Sequence, residues 1–318
     1  MPQKISTNLR AMQQELRSAL DLIKQNQLDS DREIVEVADS LSNNQSLLER
    51  CNAVTADIES QKKPTLRIIH HLACSGGTLI SKCLAVQPNV FLLSEIHPTT
   101  RLGMNIDEAA YTPRDITTQA IYGRIPNVDT LAEKLFLYGI IETEKYIRKQ
   151  GGYLVIRAHT HADYCTDKPA PEVDTLKRLL EPHFDIKHLV TVRNPIDPYL
   201  SLLNNGWTHF TPCNLDEYAV RYLAFLNQHA DCRIYKYEDF VISPNETMFD
   251  LCVALEIPYN ANYRDSFSAY QLSGDSGRSG AIIAERERRP VSDQIRCEAD
   301  NSENWNKLCL RLDYPSTF

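Results

Sequence analysis

The stretch HHLACSGGTLISKCLA (His70–Ala85) runs from apolar residues through a Ser-Gly-Gly-Thr break into a segment of helical character. It reads as a strand, a tight loop and a helix. Gly76 and Gly77 permit the sharp turn, the backbone N–H groups of Ser75 to Thr78 face inward, and the following helix adds the positive end of its dipole. That is the geometry of an anion site, with the Ser75 and Thr78 hydroxyls as added donors. The GxxxxGK[ST] pattern is absent, because Cys74 directly precedes the Ser-Gly pair and the first downstream lysine is Lys82, one turn past Thr78. By itself the loop fits an ordinary βα turn better than a phosphate site.

Outward from this stretch, strand-like apolar runs alternate with helix-length amphipathic segments. The expected strands are Leu66 to Leu72, Val90 to Leu93, Tyr153 to Arg157, His188 to Val192 and Ile234 to Tyr237. Helices are expected over Gly77 to Val86, Val128 to Lys149, Val173 to Glu181, Pro195 to Asn204, Leu215 to Asn227 and Asn245 to Leu255. The alternation implies a layered α/β domain over residues 65–318, with a mostly parallel sheet of about five strands covered by helices. Pro98 to Asn127 is loop-rich, the kind of excursion that shapes a substrate site beyond the carboxyl ends of strands. Before the polar linker at Gln61 to Pro64, two apolar seams, Ile5 to Ile23 and Ile34 to Cys51, are out of phase across Asn26 to Asp31. They predict an N-terminal helical hairpin over residues 1–60 that packs on the main domain or on another subunit, which leaves a homo-oligomer through these helices open.

The 34 basic and 42 acidic residues give a formal charge of -8, against a broad nucleic-acid or anionic-membrane surface. An anionic ligand therefore needs a local basic cluster. Nine cysteines without CxxC spacing indicate neither a disulfide framework nor a zinc site. No signal-peptide pattern or run of about 20 apolar residues is present, so the expectation is a soluble, cytoplasmic protein.

A second motif, HLVTVRNPIDPYLSL (His188–Leu202), ends a strand with Arg193 and opens a helix with Pro195, and Ser201 follows on that helix. A guanidinium and a hydroxyl so placed would converge on one phosphate, although spacing alone favours a surface arginine and a capping serine. RNPIDPYLS resembles the 3′-phosphate motif of sulfotransferases that use 3′-phosphoadenosine 5′-phosphosulfate (PAPS), and SGGT resembles their 5′-phosphosulfate loop. IYKYEDFVISPNETMFDLCVALEIP is similar to the family's Tyr-Glu-Asp segment, whose tyrosine faces the adenine, here Tyr237. LSGDSGRSGAIIAERERRP resembles the late glycine-rich segment that offers a basic residue to the 3′-phosphate, here Arg278. These landmarks keep the family's order from about residue 65 to 290.

The resemblance implies the P-loop NTPase-like sulfotransferase fold of soluble bacterial-type members, PAPS as donor, 3′-phosphoadenosine 5′-phosphate (PAP) as product, and no metal. Many relatives carry a lysine or arginine where this chain has Cys74, so Lys82 and Arg157 are the candidate substitutes. For the general base, Arg157-Ala158-His159 resembles the basic-x-His of the small-molecule enzymes, and VFLLSEIHP places Glu95 as the glutamate of the carbohydrate enzymes. Both chemistries suit proton abstraction, and the choice stays open. His97 and His161 are lesser options, and Arg157 would steady the transferred group or simply pair with Glu95. Among the aromatics of Asn204 to Asn227, Tyr218, Tyr222 and Phe225 have core spacing, while Trp207 and Phe210 are substrate candidates. The run AERERRP (Ala284–Pro290) reads as solvated for all but one or two of its arginines. The sequence thus points to sulfuryl transfer onto a hydroxyl or amine of a small-molecule or carbohydrate acceptor. A P-loop kinase using ATP and magnesium and a catalytically silent nucleotide-binding scaffold are the alternatives.

Overall fold

In the computed structural model, five strands, β1 (Thr65–His70), β2 (Val90–Ile96), β3 (Tyr153–Ala158), β4 (Asp185–Val192) and β5 (Arg233–Lys236), pair in parallel in the order β2-β3-β1-β4-β5. The structure describes residues 17–18, 63–105, 107–274, 282–285 and 288–318. The expected N-terminal hairpin, but for residues 17–18, and Arg278 lie outside the described residues. Contacts divide the chain into two units, Met1–Lys63 and Pro64–Phe318, and the sheet belongs to the second.

The central strands are short apolar runs because both of their faces are covered. On one face Ile69, Val155 and Leu189 pack with Ile80 and Leu84 of α1 (Gly77–Ala85). On the other, Leu66, Ile68, Leu154 and Ile156 meet helices that follow later in the chain. Those helices are numbered onward from α2 (Ile116–Tyr122), α3 (Val128–Lys149), α4 (His161–Tyr164) and α5 (Thr175–Leu180), of which α3 and α5 cover that face through Ile140, Leu176 and Leu180. Next come α6 (Ile196–Asn205), α7 (Leu215–Gln228), α8 (Tyr237–Ile242) and α9 (Pro244–Ala254), and α10 (Asp293–Asn301) and α11 (Glu303–Leu312) end the chain. The result is the expected three-layer α/β arrangement. Because all strands run the same way, their carboxyl ends gather at one edge, where the loops after β1, β2, β3 and β4 meet.

Several boundaries differ from the expected ones. β1 stops at His70, because the chain turns at Leu72, whose carbonyl accepts from Ser75 N at 3.3 Å. β2 continues to Ile96, and its register shifts between Ser94 and Ile96 as Glu95 takes a left-handed φ of 55°. β5 ends at Lys236, so Tyr237 opens α8 instead of closing a strand. The segment expected to be loop-rich contains α2, capped by the Asp115 carboxylate accepting from Thr118 N at 3.0 Å. Helices α10 and α11 share Ser302, whose hydroxyl accepts from Trp305 N at 2.9 Å and donates to Asp216 at 2.5 Å, seating a fully buried Trp305 in the core. Among the described residues, no helix is long and apolar enough to cross a membrane.

Candidate active site

The loop after β1 turns on two glycines with different duties. Gly76 has φ 88°, and a Cβ there would stand 2.3 Å from the Tyr237 ring. At Gly77 a Cβ would stand 2.5 Å from the His71 ring. Both positions need glycine because an aromatic ring lies against the backbone. Gly76 caps α1, so the N–H groups at 76–78 are those a helix start leaves without an intrahelical acceptor. Ser75, expected as a phosphate donor, turns its hydroxyl into the loop in this structure. Its hydroxyl is fully buried and donates to Leu72 O at 2.7 Å, closing the turn from within. Cys74, at φ 67°, packs against the aromatic cluster of α6 and α7.

A cation reaches this loop from β3. Arg157 is buried and donates from Nη2 to Thr78 Oγ1 at 2.9 Å, from Nη1 to Ser94 Oγ at 3.0 Å, and from Nε to His71 Nε2 at 2.7 Å. Its Nη2 also pairs with Glu95 Oε1 at 2.6 Å. The guanidinium therefore bridges the loop after β1 and the end of β2. Lys82 is 9% exposed in the last turn of α1, so it is not a solvated helix residue. His71 accepts from Arg157 through Nε2, so its Nδ1 carries the proton and donates to Leu72 O at 3.1 Å. Burial, with the Arg157 charge beside it, pushes His71 down to about 4, consistent with that neutral form.

Glu95 and His159, the two candidate bases, are in contact: His159 Nδ1 lies 2.6 Å from Glu95 Oε2. Burial raises the Glu95 carboxyl, but the hydrogen bond from His159 and the positive groups around it outweigh burial and bring it to about 2. Glu95 is thus a firmly ionised carboxylate with Arg157 on one oxygen and His159 on the other. Gly274, at φ 70°, lies over it, and a Cβ there would meet Glu95 Cγ at 2.3 Å. The neighbouring Ser273 hydroxyl donates to Ser94 O at 2.5 Å, fastening the late glycine-rich segment to β2.

These buried groups set an acid limit on stability. Burial lowers His161 from 6.5 to about 3, much as His71 falls to about 4. Depressed histidines contribute fully above pH 6.5 and lose that contribution as the pH falls toward their folded values, whereas Glu95 weakens only below about pH 4.5. Denaturant titrations should show stability falling from pH 7 to pH 5 by about 2 kcal/mol per buried histidine. His161→Asn should flatten the slope, and stability that stays constant over that interval would contradict the neutral, buried assignment.

Arg193 follows the end of β4 and Ser201 lies midway along α6, and both are buried. Arg193 stacks over the Tyr237 ring at 4.9 Å and pairs through Nε with Asp197 at 3.3 Å. Asp197 also holds Arg288 at 3.3 Å, and Arg289 donates to the Ser201 hydroxyl at 3.1 Å. Two arginines of the AERERRP run thus reach the RNP helix, a link that the sequence reading left unassigned. Glu238 ties the motifs together, accepting from Asn194 N at 2.9 Å and from the Tyr314 hydroxyl at 2.6 Å. Its place beside Tyr237 in YED was the available signal. Tyr237 is buried, with the Gly76 backbone and the Arg193 guanidinium both against its ring.

A cavity of about 770 Å³ opens beside the end of β2, lined by Glu95, His97, segments of the 98–115 loop, α2 and the α3 residues Phe136 and Ile140. It reaches Glu95, while His159 is not among its walls. His97 is turned to Asp163 at 3.0 Å and His161 to His209 at 2.9 Å, so both serve neighbouring side chains. Tyr218, Tyr222 and Phe225 are fully buried, as their spacing implies. Phe210 is core as well, 2% exposed beneath Arg221, which removes it as a substrate wall; Trp207 is 39% exposed.

No protein-family model matches the chain, and no curated protein does. Similar solved structures are sulfotransferases. The sulfotransferase domain of the curacin biosynthetic pathway is 18% identical, with TM-score 0.48 over 80% of this chain and 99% of that one. The sulfotransferase domain of the olefin synthase of Synechococcus PCC 7002 is 15% identical, with TM-score 0.48 over 80% and 96%. A mouse sulfotransferase complexed with PAP is 13% identical, with TM-score 0.43 over 79% and 86%. At these identities and scores the likenesses fix neither activity nor residue roles, which rest on the geometry of this chain.

Proposed function

We propose that the protein is a sulfotransferase that moves a sulfuryl group from PAPS to a hydroxyl or amine acceptor by in-line attack. The observation that carries this reading is Arg157, a buried cation that touches the helix-start loop through Thr78 and the candidate base pair through Glu95. The amides at 76–78 would hold the 5′-phosphate as its charge grows, and Arg157 would neutralise charge passing between sulfuryl group and phosphate. Arg193, Ser201 and Arg289, with Arg278 as the sequence resemblance suggests, would select the 3′-phosphate through charge-assisted hydrogen bonds. Glu95 would hold His159 by Nδ1, leaving Nε2 to take the acceptor proton. A second reading, with Glu95 itself as base, is favoured by the cavity reaching Glu95. The cavity is the proposed acceptor site, of a size that suits a small molecule or a sugar unit.

The donor assignment is tested by ligand-induced thermal shift. PAP should raise the Tm of the wild type, ATP with magnesium should not, and Arg193→Ala should lose most of the shift. A shift with ATP and magnesium alone would instead favour a kinase. An unchanged calorimetric affinity of Arg193→Ala for PAP would remove the 3′-phosphate assignment.

A further inference from the structure

Away from this site, at the base of the loop, three side chains from distant parts of the chain meet in the interior. His70 ends β1, Asp174 caps α5, and His229 follows α7; each is at most 2% exposed. Their ligand-capable atoms all lie within 4.8 Å of one another. His229 Nδ1 donates to Phe225 O at 2.9 Å, which turns Nε2 toward Asp174 Oδ2 at 3.5 Å. His70 Nδ1 and His229 Nε2 are both buried without a hydrogen-bond partner.

We propose that His70, Asp174 and His229 form a binding site for a divalent transition-metal ion, zinc by the chemistry of its donors, which pins β1 to α5 and α7.

A cation must stand between an imidazole nitrogen and a carboxylate buried together. A proton on His229 would serve only that pair and leave His70 Nδ1 orphaned beside an imidazolium, the two rings being 4.1 Å apart. One metal ion serves all three groups. Tetrahedral zinc, with bonds of about 2.0–2.1 Å, sets its ligand atoms about 3.4 Å apart, close to the His229–Asp174 spacing. The outer partners also suit ligation: Phe225 O fixes the His229 tautomer, and Asp174 Oδ1 accepts from Lys177 N at 3.0 Å while Tyr164 donates to Oδ2 at 3.3 Å. The adjoining set His188, Asp231 and Cys232 is more open, and the Lys177 ammonium lies 3.0 Å from Asp231 Oδ2.

The test is metal analysis of the full chain, purified without a histidine tag, stripped with chelator and titrated with Zn²⁺ and Co²⁺. The expected result is one ion per chain, a tetrahedral Co²⁺ absorption spectrum, and a Tm raised by about 5 °C at a metal concentration near 100 Kd. Asp174→Asn keeps the helix-capping oxygen but should weaken uptake at least tenfold, whereas His188→Gln should leave uptake unchanged. Absence of uptake by the folded wild type would overturn the proposal and leave a plain imidazolium–carboxylate pair. Uptake abolished by His188→Gln and kept by Asp174→Asn would also overturn it, by moving the ion to the outer set. Should Asp174→Asn fail to fold, the wild-type titration and the His188→Gln control decide.

Discussion

His159→Asn should lower the single-turnover rate of sulfuryl transfer by about 10²–10⁴-fold at saturating donor, with PAP affinity unchanged. The expectation follows from the unequal positions of two touching groups. Glu95, held near 2 with Arg157 and His159 on its oxygens, is a weak base with little freedom to approach an acceptor. His159 has one nitrogen committed to Glu95, and its ring remains partly open, at 22%. Chemical rescue separates the readings. Added imidazole should restore part of the rate of His159→Ala, and added formate should not restore Glu95→Ala. Rescue by formate, with a rate near wild type in His159→Asn, would transfer the role to Glu95. Small, equal losses in both would refute this site.

Arg157→Gln should cost about 10²–10³ in rate, the usual effect of removing a preorganised donor from developing charge. Arg157→Lys should recover part of this, because a point charge returns without the planar fork that spans Thr78, Ser94 and Glu95. Stability should fall as well, since Glu95 and His71 lose a buried partner, so rates are to be compared where circular dichroism shows each variant folded. Adding Cys74→Lys to Arg157→Gln should not restore the rate. Residue 74 is directed into the aromatic cluster, and a lysine there would have to bury its charge or unpack the turn. A recovered rate in the double variant would show that the loop accepts its cation from either strand.

Much of the fold was legible because its signals are local. Runs such as TLRIIH and YLVIRA must be buried on both faces, and the amphipathic segments between them must cover those faces, so the parallel sheet followed. The same holds for the core aromatics Tyr218, Tyr222 and Phe225, set by helical spacing. The helix α2 escaped notice because its capping aspartate sits in a polar, irregular stretch without a long apolar stripe. Helices α10 and α11 escaped because the last landmark was the AERERRP run.

Within the site, the sequence nominated the loop glycines, Arg193 before α6, Ser201 on that helix, and the shortlist of Glu95, His159 and Arg157. These are set by motif and by position at strand ends. Only the tertiary structure shows that the Ser75 hydroxyl closes the turn and that Arg157 donates to Thr78 of the loop. It also decided that Glu95 and His159 form one pair, and that His70, Asp174 and His229 meet in the interior. The reason is physical. Arg157 meets Thr78 across 79 positions and His159 meets Glu95 across 64, and no local pattern encodes which distant residues will fill a shared space.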